Sequence, residues 1–190
     1  MSEPSIVVLD ACTLYPAPLR DLLLEMATAG LFRAKWTERI HDEWISSLLR
    51  DRDDLTRAKL ERTKALMNEA VLDCLVSGYE SLSVGLDLPD GDDRHVLAAA
   101  IHCQADTIVT YNLKDFPQEK LARHRIEPQH PDDFISHRFG IDEVAVLAAA
   151  RRCRARLKNP RRSAEEYLRA LERCGLPQAA RHLRDYAEVI

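Results

Sequence analysis

The sequence predicts an α/β fold built on a central parallel sheet, followed by a small helical extension at the C-terminus. Three observations carry this. Apolar runs without alternation, Ser5-Ile-Val-Val-Leu9 and Thr107-Ile-Val-Thr110, suit strands buried on both faces, as in parallel sheets. Segments with helical spacing separate the strand-like runs, so strand and helix alternate along the chain. The last stretch carries only helical patterns. The expected organisation is a body over residues 1–137 and a basic helical extension over residues 138–190.

Each element has a local reason. The first strand ends at Asp10, with Thr13 three residues on, and Leu14-Tyr15-Pro16 leads into a helix from Ala17 to about Ala29, stopped by Gly30. Phe32 to Trp36 alternates and reads as a second strand. Thr37 caps a helix from Glu38 to about Leu49, with Ile40, Trp44 and Leu48 inward and Glu43 at the edge of that face. A helix from Asp54 to Leu75 follows, then a connection from Gly78 to Leu88. The next helix carries an almost wholly apolar face (Val96, Leu97, Ala99, Ala100, Ile101) and leads into the strand at Thr107. Arg125-Ile-Glu127 reads as a last strand, and Pro131 opens a helix. Three short helices make up the extension. Asp142 to Leu157 is the first; Ser163-Ala-Glu-Glu166 is a capping box launching the second; Gly175 stops it and Pro177 starts the third, with Leu183, Tyr186 and Ile190 inward.

Composition excludes several classes. With 190 residues, 46% of them hydrophobic, the chain can bury one good core. Its mean hydropathy is −0.31, no apolar run approaches a membrane span, and no leader pattern opens the chain, so a cytoplasmic protein without membrane contact is expected. The 5 cysteines are scattered and odd in number, which argues for reduced thiols and against a zinc site. The net charge of −4 conceals an asymmetry: residues 138–190 carry 12 Lys+Arg against 7 Asp+Glu, while the body is acidic. That division suits a protein that holds a polyanion near a carboxylate-rich centre.

The carboxylates lie where an open α/β sheet places its ligands, past the carboxyl ends of its strands. Asp10 ends the first strand; Asn112 and Asp115 follow the strand at Thr107; Asp93 opens the helix before it; Glu43 comes from a fourth element. Gathering Asp10, Glu43, Asp93 and Asp115 at one rim costs Coulomb energy unless a cation neutralises them, and hard Mg²⁺ or Mn²⁺ takes such oxygen ligands. The simpler alternatives stand beside this. Asp90 and Asp92 read as helix caps, and Asp115 alone suits a turn.

These motifs together, VVLDACTLYP, HDEW, and LPDGDDRHVLAAAIHCQADTIVTYNLKDF, resemble the PIN domain, and in particular the ribonuclease toxins of VapBC toxin–antitoxin modules. The resemblance covers about residues 5–137. It implies a three-layer α/β/α sandwich with a parallel sheet, and a metal-dependent endoribonuclease that hydrolyses RNA with Mg²⁺ or Mn²⁺. Asp10, Glu43, Asp93 and Asp115 would be the catalytic metal-binding acids, with Thr110, Asn112 and Thr13 in support. A small cognate antitoxin is the implied partner, with homodimerisation possible. Where many relatives place Asn, this chain has Cys12.

Two rival functions fit parts of the pattern. A non-catalytic PIN-fold scaffold or nucleic-acid-binding protein would keep the fold with an idle site, against which stand all four acids. A haloacid-dehalogenase-like phosphatase would use Asp10 as nucleophile, but Cys12 occupies the place of its second Asp. In the extension, Arg151, Arg154 and Arg161 are the expected RNA contacts, against the alternative of a solvated helix face.

Overall fold

The computed structural model describes residues 3–190. Strand β1 (Ile6–Leu9) is followed by a single turn, α1 (Ala11–Leu14), and by α2 (Ala17–Thr28). Strand β2 (Arg33–Lys35) leads to α3 (Glu38–Asp51), α4 (Arg57–Ala70), the short α5 (Glu80–Ser83) and α6 (Arg94–His102). Strand β3 (Thr107–Val109), α7 (Gln118–Leu121), a 3₁₀ turn (Ala122–His124) and β4 (Glu127–Gln129) follow. The chain ends in α8 (Pro131–Ile141), α9 (Glu143–Arg156), α10 (Ala164–Arg173) and α11 (Pro177–Arg184).

The four strands form one sheet in the order β2-β1-β3-β4, and every neighbouring pair is parallel. Val8 of β1 lies opposite Lys35 on one side and Ile108 on the other. Val7, Val8, Leu9, Ile108 and Val109 are fully buried, which is why these strands read as unbroken apolar runs. The fold is α/β, with helices covering a central parallel sheet in the three-layer arrangement the family resemblance implies. β1 and β3 are adjacent, so their carboxyl ends, at Asp10 and Thr110, emerge side by side.

The expected elements are present, with differences at their edges. The helix expected over 54–75 ends at Ala70, because Val71 turns to extended backbone (φ −113°, ψ 104°), and Asp73 with a left-handed φ of 56° turns the chain further. Leu75 instead forms a parallel bridge with Trp36, extending the edge beside β2. The last strand begins at Glu127 rather than Arg125, since Arg125 has a left-handed φ of 60° that closes the 3₁₀ turn. The connection over 78–88 contains the single turn α5. In the extension, the capping box at Ser163 and Glu166 is formed in both directions, and Gly175, with φ of 77°, stops α10 as expected.

The chain divides into two compact units. One comprises the N-terminal residues through Tyr15 together with Phe32–His130; the other comprises Pro16–Leu31 with Pro131–Ile190. The expected boundary at 137/138 falls inside α8. In the second unit α2 packs against α9 and α10, burying Leu19, Leu22, Leu23 and Met26. Glu25, buried on the same helix, is gripped by Arg152 and Arg156 of α9.

Candidate active site

The first unit carries an open cleft of about 400 Å³ at the carboxyl ends of β1 and β3, lined among others by Asp10, Glu43, Asp93 and Asn112. Three of the four predicted acids therefore face one space. Asp115 does not line it, but its charge acts on Asp93, which places it nearby.

Asp10 is held from three directions. Its Oδ1 accepts a hydrogen bond from the Ala11 backbone N–H (2.7 Å), and its Oδ2 accepts from the Thr110 hydroxyl (2.7 Å) and from the Cys12 thiol (3.1 Å). It is only 5% exposed, so these donors offset most of the cost of burying a carboxylate. Burial and the Asp10 charge push the Cys12 thiol far above its ordinary range, keeping it a protonated donor. The Cys12 sulfur in turn accepts from the Tyr111 backbone N–H at 3.3 Å. Cys12 thus serves, through its thiol, as a polar partner of Asp10. Thr13 serves the backbone: its hydroxyl donates to the Asp10 carbonyl at 2.7 Å. The Thr110 hydroxyl also accepts from the Asn112 backbone N–H at 3.0 Å, fixing the turn that brings Asn112 to the cleft.

Glu43 comes from α3, whose register is fixed by a buried polar chain. Trp44 Nε1 donates to His41 Nδ1 (3.0 Å), and His41 Nε2 and Trp36 Nε1 both meet the Asn68 side-chain oxygen, at 3.0 and 2.9 Å. Because His41 Nδ1 accepts, its Nε2 is the protonated nitrogen and the ring is neutral; burial lowers its basicity accordingly. Glu43 itself is clamped: its Oε1 meets His95 Nε2 at 2.9 Å and Arg39 Nε at 3.2 Å. Arg39 Nη2 also reaches the Asp92 carbonyl at 3.3 Å, tying the Glu43 helix to the residue before Asp93. His95 is 3% exposed, and its Nδ1 is buried without a hydrogen-bond partner among the described residues. Neither His95 nor Arg39 was singled out from sequence. The signal available was weak: His95 stands two residues after Asp93, and Arg39 one turn before Glu43.

Asp93 carries the electrostatic cost of the arrangement. Burial first, then the Asp10, Asp90 and Asp115 carboxylates, push its carboxyl up to about 7, with His95 acting in the opposite sense. It occupies the N-cap position of α6 but makes no side-chain capping bond. The expected caps are corrected too. Asp90 Oδ1 accepts from the Asp92 backbone N–H at 2.9 Å, closing a local turn, and Asp92 contributes its carbonyl to Arg39; neither side chain caps α6.

Among the described residues no three His, Cys, Asp or Glu side chains are already closed into ligand geometry. The reason is visible in the bonds above: Asp10 and Glu43 turn oxygens toward protein donors. The donor set nevertheless fits a hard cation, being all oxygen with the Cys12 thiol protonated.

Comparison with known proteins gives two family matches. A model described as the PIN domain matches residues 6–114, more than half of the chain and ending one residue short of Asp115. A model described as the VapC50 C-terminal domain matches residues 131–185, beginning where the second unit resumes after Leu31. A protein of Mycobacterium tuberculosis (strain ATCC 25618 / H37Rv) named "Putative ribonuclease VapC50" is 48% identical over 56 residues, which are 30% of this chain and 33% of that relative. The match therefore spans a third of the relative's length. No solved structure matches the chain.

Proposed function

The chain belongs to the PIN-domain family, and on that premise we propose that it is a metal-dependent endoribonuclease, the toxin of a type II toxin–antitoxin pair. The observation that carries this reading is the Asp93 carboxyl. It is pushed up to about 7 chiefly by burial and by Asp10, in a cleft that also holds Glu43. Such a concentration of acids opposes stability and is of use to a bound cation. The relative named a ribonuclease supports RNA as the substrate class.

Asp10, Glu43, Asp93 and Asp115 would hold Mg²⁺ or Mn²⁺, which when bound would supply Lewis-acid activation of water and stabilisation of phosphoryl charge. The protein's own contribution is orientation. Thr110 and Cys12 fix Asp10, while His95 and Arg39 fix Glu43. Asn112 brings an amide to the cleft wall for the substrate. A carboxylate-lined cleft also invites an Arg or Lys side chain, so a small antitoxin would block it from solution. No helix among the described residues is long and apolar enough to cross a membrane. We place the toxin and its RNA in the cytoplasm.

The test is cleavage of end-labelled RNA by the purified full chain. Mn²⁺ should support cleavage and chelator should stop it; Asp10→Ala and Asp115→Ala should abolish it with the fold intact. Asp92→Ala should remain active, because only its backbone takes part in the clamp. Cleavage that persists in chelator or in Asp10→Ala would overturn the reading.

A further inference from the structure

The cleft has a second end that the acids do not use. Tyr15, Ser47, Arg50 and Asp51 line it alongside Asp10, Glu43 and Asp93. Residues 43, 47, 50 and 51 of α3 are spaced at one and two turns, so one face of the helix runs from the acid end to this second end. The four residues are linked: the Tyr15 hydroxyl donates to Asp51 Oδ2 at 3.0 Å, Arg50 Nε pairs with Asp51 Oδ1 at 3.5 Å, and Arg50 Nη2 reaches the Ser47 hydroxyl at 3.4 Å.

Among the described residues lining the cleft, Arg50 is the one cation. Its side chain is 72% exposed, and its Nη1 has no hydrogen-bond partner among the described residues. A largely exposed guanidinium, braced at Nε by Asp51 and at Nη2 by Ser47, keeps donors available for a phosphate oxygen. Rising about 1.5 Å per residue, α3 carries Arg50 about 10 Å beyond Glu43. That is too far for the group being cut and suits the phosphate of a neighbouring nucleotide. Tyr15 adds an aromatic side chain to the same end, and base stacking on aromatic rings is tolerant of sequence.

We propose that Tyr15, Ser47, Arg50 and Asp51 form a flanking-nucleotide subsite, in which Arg50 holds the backbone phosphate of single-stranded RNA beside the scissile bond. This rests on the nuclease reading above and deepens it. The subsite answers an electrostatic need, since a cleft of carboxylates repels the polyanion it must admit and one fixed cation on its wall gives the strand a point of entry. It carries no base-edge readout, so it positions the chain without choosing the sequence.

The probe is a fluorescein-labelled, 2′-O-methylated single-stranded RNA of mixed sequence, which resists cleavage, titrated with the full chain in Mn²⁺ and followed by anisotropy at several salt concentrations. Arg50→Gln should weaken binding on the order of tenfold and reduce the salt slope by about 0.7. Arg50→Lys should keep the slope, Tyr15→Phe should bind like the wild type, and Tyr15→Leu should bind more weakly. Melting with Mn²⁺ should be the same for Arg50→Gln and wild type, showing an intact fold and acid end. Wild-type affinity and salt slope in Arg50→Gln would overturn the subsite and leave that wall to a protein partner. If the wild type cleaves unmodified RNA while Arg50→Gln is unchanged in binding, the subsite falls and the nuclease reading stands. If it binds the probe through Arg50 but cleaves nothing, the nuclease reading falls, and what stands is a phosphate contact at Arg50 with no scissile bond beside it.

Discussion

Replacing Asp93 by Asn should stabilise the metal-free protein, and by more as pH rises. In the unfolded chain this carboxyl titrates near its ordinary 3.8, whereas in the fold it keeps its proton until about pH 7. Between those values the native state binds more protons than the unfolded one, so stability falls as pH rises through the window and levels off above it. A gap of about 3 pH units corresponds to about 4 kcal/mol at full weight. Asp93 is only half-buried, and solvent screening reduces this to about 2 kcal/mol. Asp93→Asn removes the charge, so at pH 8 its Tm should exceed that of the wild type by about 4–8 °C. At pH 5 roughly a third of that difference should already be present, about 1.5–3 °C, because the unfolded carboxyl is ionised there, and the two should melt together only below about pH 4. Mn²⁺ should raise the wild-type Tm at pH 8 more than at pH 5, because protons compete for the same carboxylate, and should raise that of the variant much less. Melting followed by circular dichroism, from pH 5 to 8 with and without Mn²⁺, measures all of this. An Asn variant no more stable than the wild type at pH 8 in metal-free buffer would refute the account of Asp93 as the strained member of an acid cluster.

His95→Leu should weaken Mn²⁺ binding by about tenfold or more, as removing a ligand's hydrogen-bond partner commonly does, while leaving the KM for RNA unchanged; His95→Gln, which keeps a donor, should recover part of it. Titration calorimetry of the full chain reads the affinity directly, and a wild-type value in His95→Leu would reduce the residue to core packing. A fragment of residues 1–137 should be insoluble or lack a sharp melt, because Leu19, Leu22, Leu23 and Met26 of α2 lose α9 and α10; uncovering half of that side-chain area costs about 3–6 kcal/mol. A soluble fragment with a cooperative transition would show that α2 does not need the extension.

The parts of the fold that sequence disclosed best were those set by local chemistry. An unbroken Ile-Val-Val-Leu run suits a strand buried on both faces, and Thr37, Ser163, Gly175 and Pro177 each mark a helix end through a specific backbone need. Asp10 and Asp93 were legible because strand ends and helix starts are readable positions, Glu43 only through the short HDEW motif inside a helix, and all three line the cleft. What stayed hidden depends on contacts distant in sequence. Asp73 and Arg125 adopt left-handed backbone although neither is Gly, and Asp73 is gripped by Lys35 of β2, so neither bend was visible locally. The His95–Glu43 bond joins residues 52 positions apart and leaves no periodic trace. The grouping of α2 with the extension was concealed for the same reason: Glu25 reads as an ordinary helix charge until Arg152 and Arg156 close on it.

That clamp changes how the basic extension must be tested. Of the seven cations between 151 and 162, Arg152 and Arg156 are committed to the buried Glu25, and Arg162 pairs with Glu166 at 3.5 Å. Arg154 is half-buried and gives one nitrogen to the Arg162 carbonyl at 3.2 Å. Arg151, Lys158 and Arg161 remain exposed. If the extension holds RNA, replacing Arg151, Arg154 and Arg161 together by Gln should weaken binding alike for all sequences and flatten the salt slope by up to about 2, at about 0.7 for each phosphate no longer neutralised. Most of that change should come from Arg151 and Arg161. Single-turnover cleavage at saturating RNA should change far less than affinity, since none of the three lines the acid cleft. Arg152→Gln is the contrasting variant. It leaves Glu25 with Arg156 alone and should cost about 1–2 kcal/mol of stability, less than breaking a fully buried pair, with the RNA salt slope nearly unmoved. A triple variant that binds RNA with the wild-type slope would mean that the extension does not touch the substrate. Its arginines would then serve only to fasten α9 to α2 and to keep the helices soluble.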